Sequence, residues 1–318
     1  MNEAQRNPNA MPIRAAPFVH QTAAYNAALD AFDETTPPKL DENGKTTSIT
    51  SRGYALLMEM GLGKSITSIA IEGNLYLNKL IRKTLIVAPL SILGVWEEEH
   101  RKFADFDYTL AILDGSLAKK TDTLRHMGGK LLQVAVVNYE SCWRLETEIL
   151  KWKPDLVICD EGHKIKTHNA NASKALHRIG AAAGYRLLLT GTVITNKPLD
   201  VFSQYKFLNP RIFGNSFYSF RNRYFDMVGY GAHTLVLKRS MEPELTARIH
   251  SIAYRATKAE CLDLPETTDI IRFVELEPSA AKLYRYRLSR KIFGVYTEDE
   301  WHEGWFTLRR DTPEISII

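Results

Sequence analysis

Short apolar runs recur through the first two thirds of the chain: YALLM, TLIVAP, YTLAILD, LLQVAVVN, DLVICD and YRLLLTG. Amphipathic stretches lie between them, among them ILGVWEEEHRKF, SLAKKTDTLRHM and ANASKALHRIG. Continuous apolar runs of this length read as strands buried on both faces, and the stretches between them carry helical spacing. The alternation predicts an α/β fold, a parallel sheet covered by helices on both faces. Upstream, APFVHQTAAYNAALDAF reads as a helix and DETTPPKLDENGKTTS as a surface loop. From Leu208 the rhythm loosens. The aromatic, basic and glycine-interrupted stretch that follows predicts a helical protrusion over residues 209–250, with a loop around Gly229 to Gly231. Strands at SIAYRA and TTDIIRFVEL and a helix at PSAAKLYRYRLSRK come after it.

Ligands of parallel sheets sit beyond the carboxyl ends of the strands. MEMGLGKS follows the run YALLM and precedes a helix-compatible stretch. Gly61 and Gly63 permit a tight loop whose backbone N–H groups converge on an anion, with a helix N-terminus behind them. Leu62 lies between them, Lys64 can reach β- and γ-phosphates, and the Ser65 hydroxyl can bind Mg²⁺. Met58 stands where the general pattern asks for glycine, so a plain strand-to-helix turn is the competing reading. DLVICDEGH adds Asp160 and Glu161 at another strand end. A phosphate-loop ATPase needs an acid there for the metal and a group to orient the attacking water. Asp160 suits the first role and Glu161 the second; capping of the following helix is the plainer alternative.

The two motifs in order, with others around them, resemble the N-terminal RecA-like lobe of superfamily-two helicases, and within them the Swi/Snf-type DNA translocases. The resemblance spans about Phe18 to Lys291. FVHQTAAYNAAL resembles the adenine-reading segment, with Gln21 as reader. MEMGLGKS resembles Walker A, and DEGHKIKTHNANASKAL resembles Walker B with its basic extension. LIVAPLSILGVWEEEHRKF and VAVVNYESCWR resemble segments that touch the nucleic-acid backbone. LLLTGTVITNKPLDVFSQYKFLNP resembles the coupling motif, and YRATKAECLDLPE the segment leading to a second lobe. Met58, Val193, Thr195, Thr167 and Ala256 depart from the family pattern.

The resemblance implies a P-loop NTPase fold, ATP and Mg²⁺ as cofactors, and ATP-dependent movement on duplex DNA. Catalysis would fall to Glu161, Asp160 and Lys64, the metal to Ser65 and Asp160, and coupling to His163, Thr190, Gly191 and Thr192. Ser91, Asn138, Lys164, Lys166, Asn196 and Lys197 are the expected DNA contacts, each lysine also readable as plain surface charge. It divides the chain into a flexible N-terminus (1–16), an ATP-binding lobe (17–275) and a linker or start of a second lobe (276–318). A binding module without turnover, or an RNA-directed helicase, are the alternatives. Trp96 and Phe103 read as core, as do Phe217, Tyr218, Phe220, Tyr224 and Phe225; Arg221 and Arg223 could face DNA.

Composition adds limits. With 41 basic and 37 acidic residues among 318, the net charge of +4 permits a basic face without requiring one. The three cysteines, Cys142, Cys159 and Cys261, are too scattered for zinc or a disulfide framework and suit an intracellular setting, cytoplasmic or in the host cytoplasm of a virus. No apolar run approaches membrane-spanning length. Little more than fifty residues follow YRATKAECLDLPE. A second RecA-like lobe needs roughly 150, so the expectation is an isolated first lobe, nearly inactive until a second lobe supplies an arginine in cis or in trans.

Overall fold

Each of the six apolar runs becomes a strand. The computed structural model describes residues 11–35, 48–191, 198–228, 234–261 and 281–282. The chain divides into two units, Met1–Leu264 and Pro265–Ile318, and every element named belongs to the first. Helix α1 spans Val19–Phe32, followed by β1 (Gly53–Met58), α2 (Lys64–Leu77), β2 (Lys83–Ala88), α3 (Leu93–Phe103), β3 (Tyr108–Ile112) and α4 (Leu117–His126). Then come β4 (Leu132–Asn138), α5 (Tyr139–Arg144), α6 (Glu146–Trp152), β5 (Leu156–Asp160), α7 (Asn171–Ala182), β6 (Tyr185–Thr190) and α8 (Val201–Leu208). Helix α9 (Phe217–Tyr224), β7 (Phe225–Val228), β8 (Thr234–Leu237), α10 (Glu242–His250), β9 (Ala253–Ala256) and α11 (Lys258–Cys261) complete the unit.

Seven strands form one parallel sheet in the order β3-β4-β2-β5-β6-β1-β9. Leu85, Ile86 and Val87 of β2 and Val157, Ile158 and Cys159 of β5 are fully buried, because helices cover both faces of the sheet centre. The helices bury one stripe each: α3 through Leu93, Trp96 and His100, and α7 through Ala175, Leu176 and Ile179. Parallel pairing puts all the strand carboxyl ends along one edge. In register, Ala88 lies beside Asn138, Asp160 beside Leu189, and Leu57 beside Thr190.

The segment 209–250, expected as a helical protrusion, holds helices and a strand pair. Helices α9 and α10 are there, but β7 and β8 between them pair as an antiparallel ribbon. The alternating exposure of Thr234, Leu235, Val236 and Leu237 is the period of a strand. The loop expected at Gly229 to Gly231, the strand at TTDIIRFVEL and most of the helix after it lie outside the described residues. No described helix is long and apolar enough to cross a membrane.

Candidate active site

Strand β1 ends at Met58, and after five intervening residues α2 begins at Lys64. Gly61 and Gly63 hold φ of 87° and 82°, a left-handed conformation that a side chain disfavours. A Cβ on Gly63 would also stand 2.2 Å from Gln21 Nε2. The loop is pinned from α1: the Gln21 amide donates to the Leu62 carbonyl at 3.2 Å, and His20 Nε2 donates to the same oxygen at 3.0 Å. The Gln21 amide oxygen accepts the Phe18 N–H at 3.1 Å, so this side chain starts α1 and braces the loop at once. Lys64 Nζ donates to the Met58 and Glu59 carbonyls at 3.0 and 3.5 Å. Burial pushes its pKa down, while the charges of Glu161 and Asp160 oppose the shift. Ser65 is half-buried in the first turn of α2.

Two strands away, β5 ends in Asp160, 7% exposed. Each carboxylate oxygen has one donor: Oδ1 accepts the Glu161 N–H at 2.9 Å, and Oδ2 accepts Trp96 Nε1–H at 3.1 Å. Burial raises the Asp160 pKa, against these two hydrogen bonds and the nearby Lys64. Tyr139 donates its hydroxyl to the Asp160 carbonyl at 2.5 Å. Glu161 sits in the left-handed region at φ 51°, and its side chain lies 3.2 Å from His163 Nδ1. Gly162 admits no side chain, since a Cβ would stand 2.5 Å from Leu188 Cγ.

Thr190 is buried at the end of β6, between the two motifs, and Gly191 packs against Met58, Glu59 and Met60. The Walker-type loop, the acid pair and the TG pair thus occupy three adjoining strand ends. Hard oxygen donors from Ser65 and Asp160 suit Mg²⁺, which takes few protein ligands and completes its shell with water and phosphate. A cavity of about 380 Å³ near the loop is lined by Phe18, His20, Tyr254, Arg255, Ala256 and Glu260, among others.

The expected nucleic-acid contacts follow the carboxyl ends of β4, β2 and β5, the other side of the same edge. Ser91 is exposed in the turn Leu90–Ile92, and Lys164 is exposed in the turn Gly162–Ile165. Lys166 lies 3.9 Å from Asp200. Asn138 caps α5, its side-chain oxygen accepting the Ser141 N–H at 2.8 Å. Arg223 is paired with Glu244 at 2.8 Å, and Arg221 lies over the exposed Tyr218 ring. Phe220, Tyr224 and Phe225 are buried, Phe217 is partly buried against the core, and Tyr218 is 65% exposed. Packing is the role of those four, and Tyr218 points outward. Thr192, Asn196 and Lys197 lie outside the described residues, as do Val193 and Thr195. Trp96 and Tyr139 are the residues that sequence reasoning missed as neighbours of the acid. A buried tryptophan N–H usually finds an acceptor, and that tendency is the one signal in the sequence that pointed toward Trp96.

A family model described as the SNF2-related domain matches residues 19–310. The chain is 32% identical over 212 residues to the probable ATP-dependent DNA helicase CHR23 of Arabidopsis thaliana, covering 62% of this chain and 20% of that protein. It is 32% identical over 178 residues to the DNA repair and recombination protein RAD54B of Homo sapiens, covering 54% of this chain and 19% of that protein. The chain thus spans about a fifth of the length of these relatives. Its fold matches the Sulfolobus solfataricus SWI2/SNF2 ATPase core in complex with dsDNA, with a TM-score of 0.61 and 25% identity, covering 96% of this chain and 59% of that one.

Proposed function

The chain belongs to the SNF2-related domain family, and from that premise we propose that it is the first RecA-like lobe of an ATP-driven translocase acting on duplex DNA. One observation carries the reading: the glycine loop and the acid pair follow the ends of β1 and β5, which flank β6 on either side, with Lys64 in the field of both acids. ATP with Mg²⁺, when bound, supplies the transferable phosphoryl group and neutralises its charge. Backbone N–H groups from Gly61 to Ser65 and the start of α2 receive the phosphates. Lys64 exchanges its two carbonyl acceptors for phosphate oxygens, a charge-assisted and stronger pairing. Ser65 and Asp160 would hold the metal. Glu161 orients the attacking water and accepts its proton. The adenine takes the cavity beside Phe18, Tyr254 and Arg255, next to the loop that Gln21 braces.

His163, Thr190, Gly191 and Thr192 couple this half of the edge to the other. There Ser91, Asn138, Lys164, Lys166, Asn196 and Lys197 meet the DNA backbone. Polar and cationic loop residues suit phosphates rather than base edges, so the binding is independent of sequence. Duplex DNA as the track is supported by the Sulfolobus relative, described as bound to dsDNA. A second lobe, in cis or in trans, belongs to the reading, since that relative is longer than this chain. An intracellular setting, where DNA and ATP are both at hand, completes it. Steady-state ATPase measured with no nucleic acid, duplex DNA, single-stranded DNA and RNA, with the second lobe supplied, is the test. Stimulation by duplex DNA above the others is expected; equal or greater stimulation by RNA would overturn the choice of track.

A further inference from the structure

We propose that Trp96 is a positioning residue for the metal-binding carboxylate of Asp160, and that it ties this carboxylate to the exposed turn carrying Ser91. The inference rests on the nucleotide-site reading. Trp96 is 2% exposed and donates its indole N–H to Asp160 Oδ2 at 3.1 Å. Packing alone does not demand such a bond in this fold: the buried indole N–H of Trp152 has no partner among the described residues. With Glu161 N–H on Oδ1, the indole fixes the carboxylate plane before any metal arrives, leaving each oxygen a further lone pair.

Trp96 is itself held from behind. Its carbonyl accepts His100 Nδ1–H at 2.8 Å, and His100 Nε2 lies 2.9 Å from Glu72 Oε2. His100 and Glu72 are both fully buried. Glu72 belongs to α2, whose first turn carries Lys64 and Ser65. A buried chain of contacts, Glu72–His100–Trp96–Asp160, therefore spans the two elements that supply the metal's protein ligands. At its front, the turn Leu90–Ile92 runs directly into α3, and Leu90 is 71% exposed. Ser91 is five residues, about one and a half helical turns, from Trp96. A phosphate contact at Ser91 bears on the first turn of α3 and so on the donor to Asp160. Metal affinity and contact with the DNA backbone become linked through one hydrogen bond.

Trp96→Phe keeps the aromatic packing and removes the N–H. We expect its Mg²⁺ affinity, titrated with a non-hydrolysable ATP analogue present, to fall about tenfold, as loss of a hydrogen bond to a charged group implies. Affinity for the analogue without metal should stay unchanged. A residue that only packs would lower thermal stability and leave the Mg²⁺ titration alone. The second measurement needs no mutant fold: the indole ¹H–¹⁵N signals of the wild-type 318-residue chain. One should be protected from solvent exchange, absent in Trp96→Phe where that variant folds, and should shift with Mg²⁺ and analogue and again with a short duplex. An unchanged Mg²⁺ titration in the variant, or no indole signal that responds to metal and to duplex, overturns the inference alone. Failure of the wild-type chain to bind Mg²⁺ and the analogue at all would overturn the nucleotide reading and this inference with it.

Discussion

Two concave surfaces lie at opposite ends of the same sheet, and the larger is the less suited to chemistry. The cavity of about 490 Å³ at the start of β6 is lined by Lys174, His177, Arg178, Arg186 and Lys206 together with Phe207 and Pro210. Its cations are mostly spoken for: Arg178 pairs with Glu146, Arg186 donates to the Gly180 carbonyl, and Lys206 donates to the Asn215 carbonyl. No carboxylate lines it among the described residues. At the carboxyl end, beside the smaller cavity, one lysine lies in the field of two acids, next to a loop whose left-handed turns at Gly61 and Gly63 favour glycine. A cationic hollow attracts anions, whereas catalysis needs opposite charges fixed at short range on strand ends.

The sharpest way to break that contrast is at Glu161. Glu161→Gln should keep ATP affinity within about twofold and lower hydrolysis about 10²- to 10⁴-fold, the range for loss of a general base. Equal turnover in the variant and the wild type, under single-turnover conditions, would remove Glu161 from its role. Lys64→Ala should weaken ATP binding about a hundredfold or more by calorimetry, since it strips a buried cation from the phosphate site. The paired control is Lys174→Ala with Lys206→Ala at the opposite end, expected to leave ATP affinity within about twofold; a comparable loss there would erase the distinction.

The amino-terminal end should show itself through stability instead. Burial pushes the His177 imidazole down to about 4, against its bond to the Ser203 carbonyl, with Lys206, His168 and Arg178 adding to the shift. The unfolded chain titrates near the ordinary histidine value, so between the two it binds the extra proton and the folded state does not. Stability from this group is full above about pH 6.5 and is lost as pH falls toward about 4, by roughly 2 to 3 kcal/mol. His177→Gln should flatten that part of the denaturation profile; an unaltered profile would mean the imidazole does not stay neutral. The smallest effect belongs to the exposed lysines. Lys164→Ala with Lys166→Ala should reduce the salt slope of DNA binding by at most about two units, one phosphate contact each. A larger change, or a sequence preference among duplexes, would contradict backbone-only contact.

Tertiary packing also gave individual residues second tasks. Gln21, expected to read adenine, braces the loop by donating to the Leu62 carbonyl and accepting the Phe18 N–H. Asn138, expected on DNA, also caps α5 through its oxygen. The segment after α9 forms a ribbon because alternating residues found a partner strand, which a helix-weighted reading of its aromatic start obscured.

What the sequence determined by itself was whatever depends on neighbours in the chain. Glycine at residues 61 and 63 sets the loop's backbone, continuous apolar runs demand strands buried on both faces, and Asp160 with Glu161 must emerge where one such run stops. Strand order was decided only by the folded sheet, and with it the placing of β5, β6 and β1 side by side so that acids, threonine and phosphate loop meet. The hydrogen bond from Trp96 to Asp160 spans 64 positions, and the chain of contacts behind it draws on two helices. No local periodicity encodes such a contact; it exists because α3 packs against the sheet with its buried stripe placing the Trp96 indole beside the end of β5.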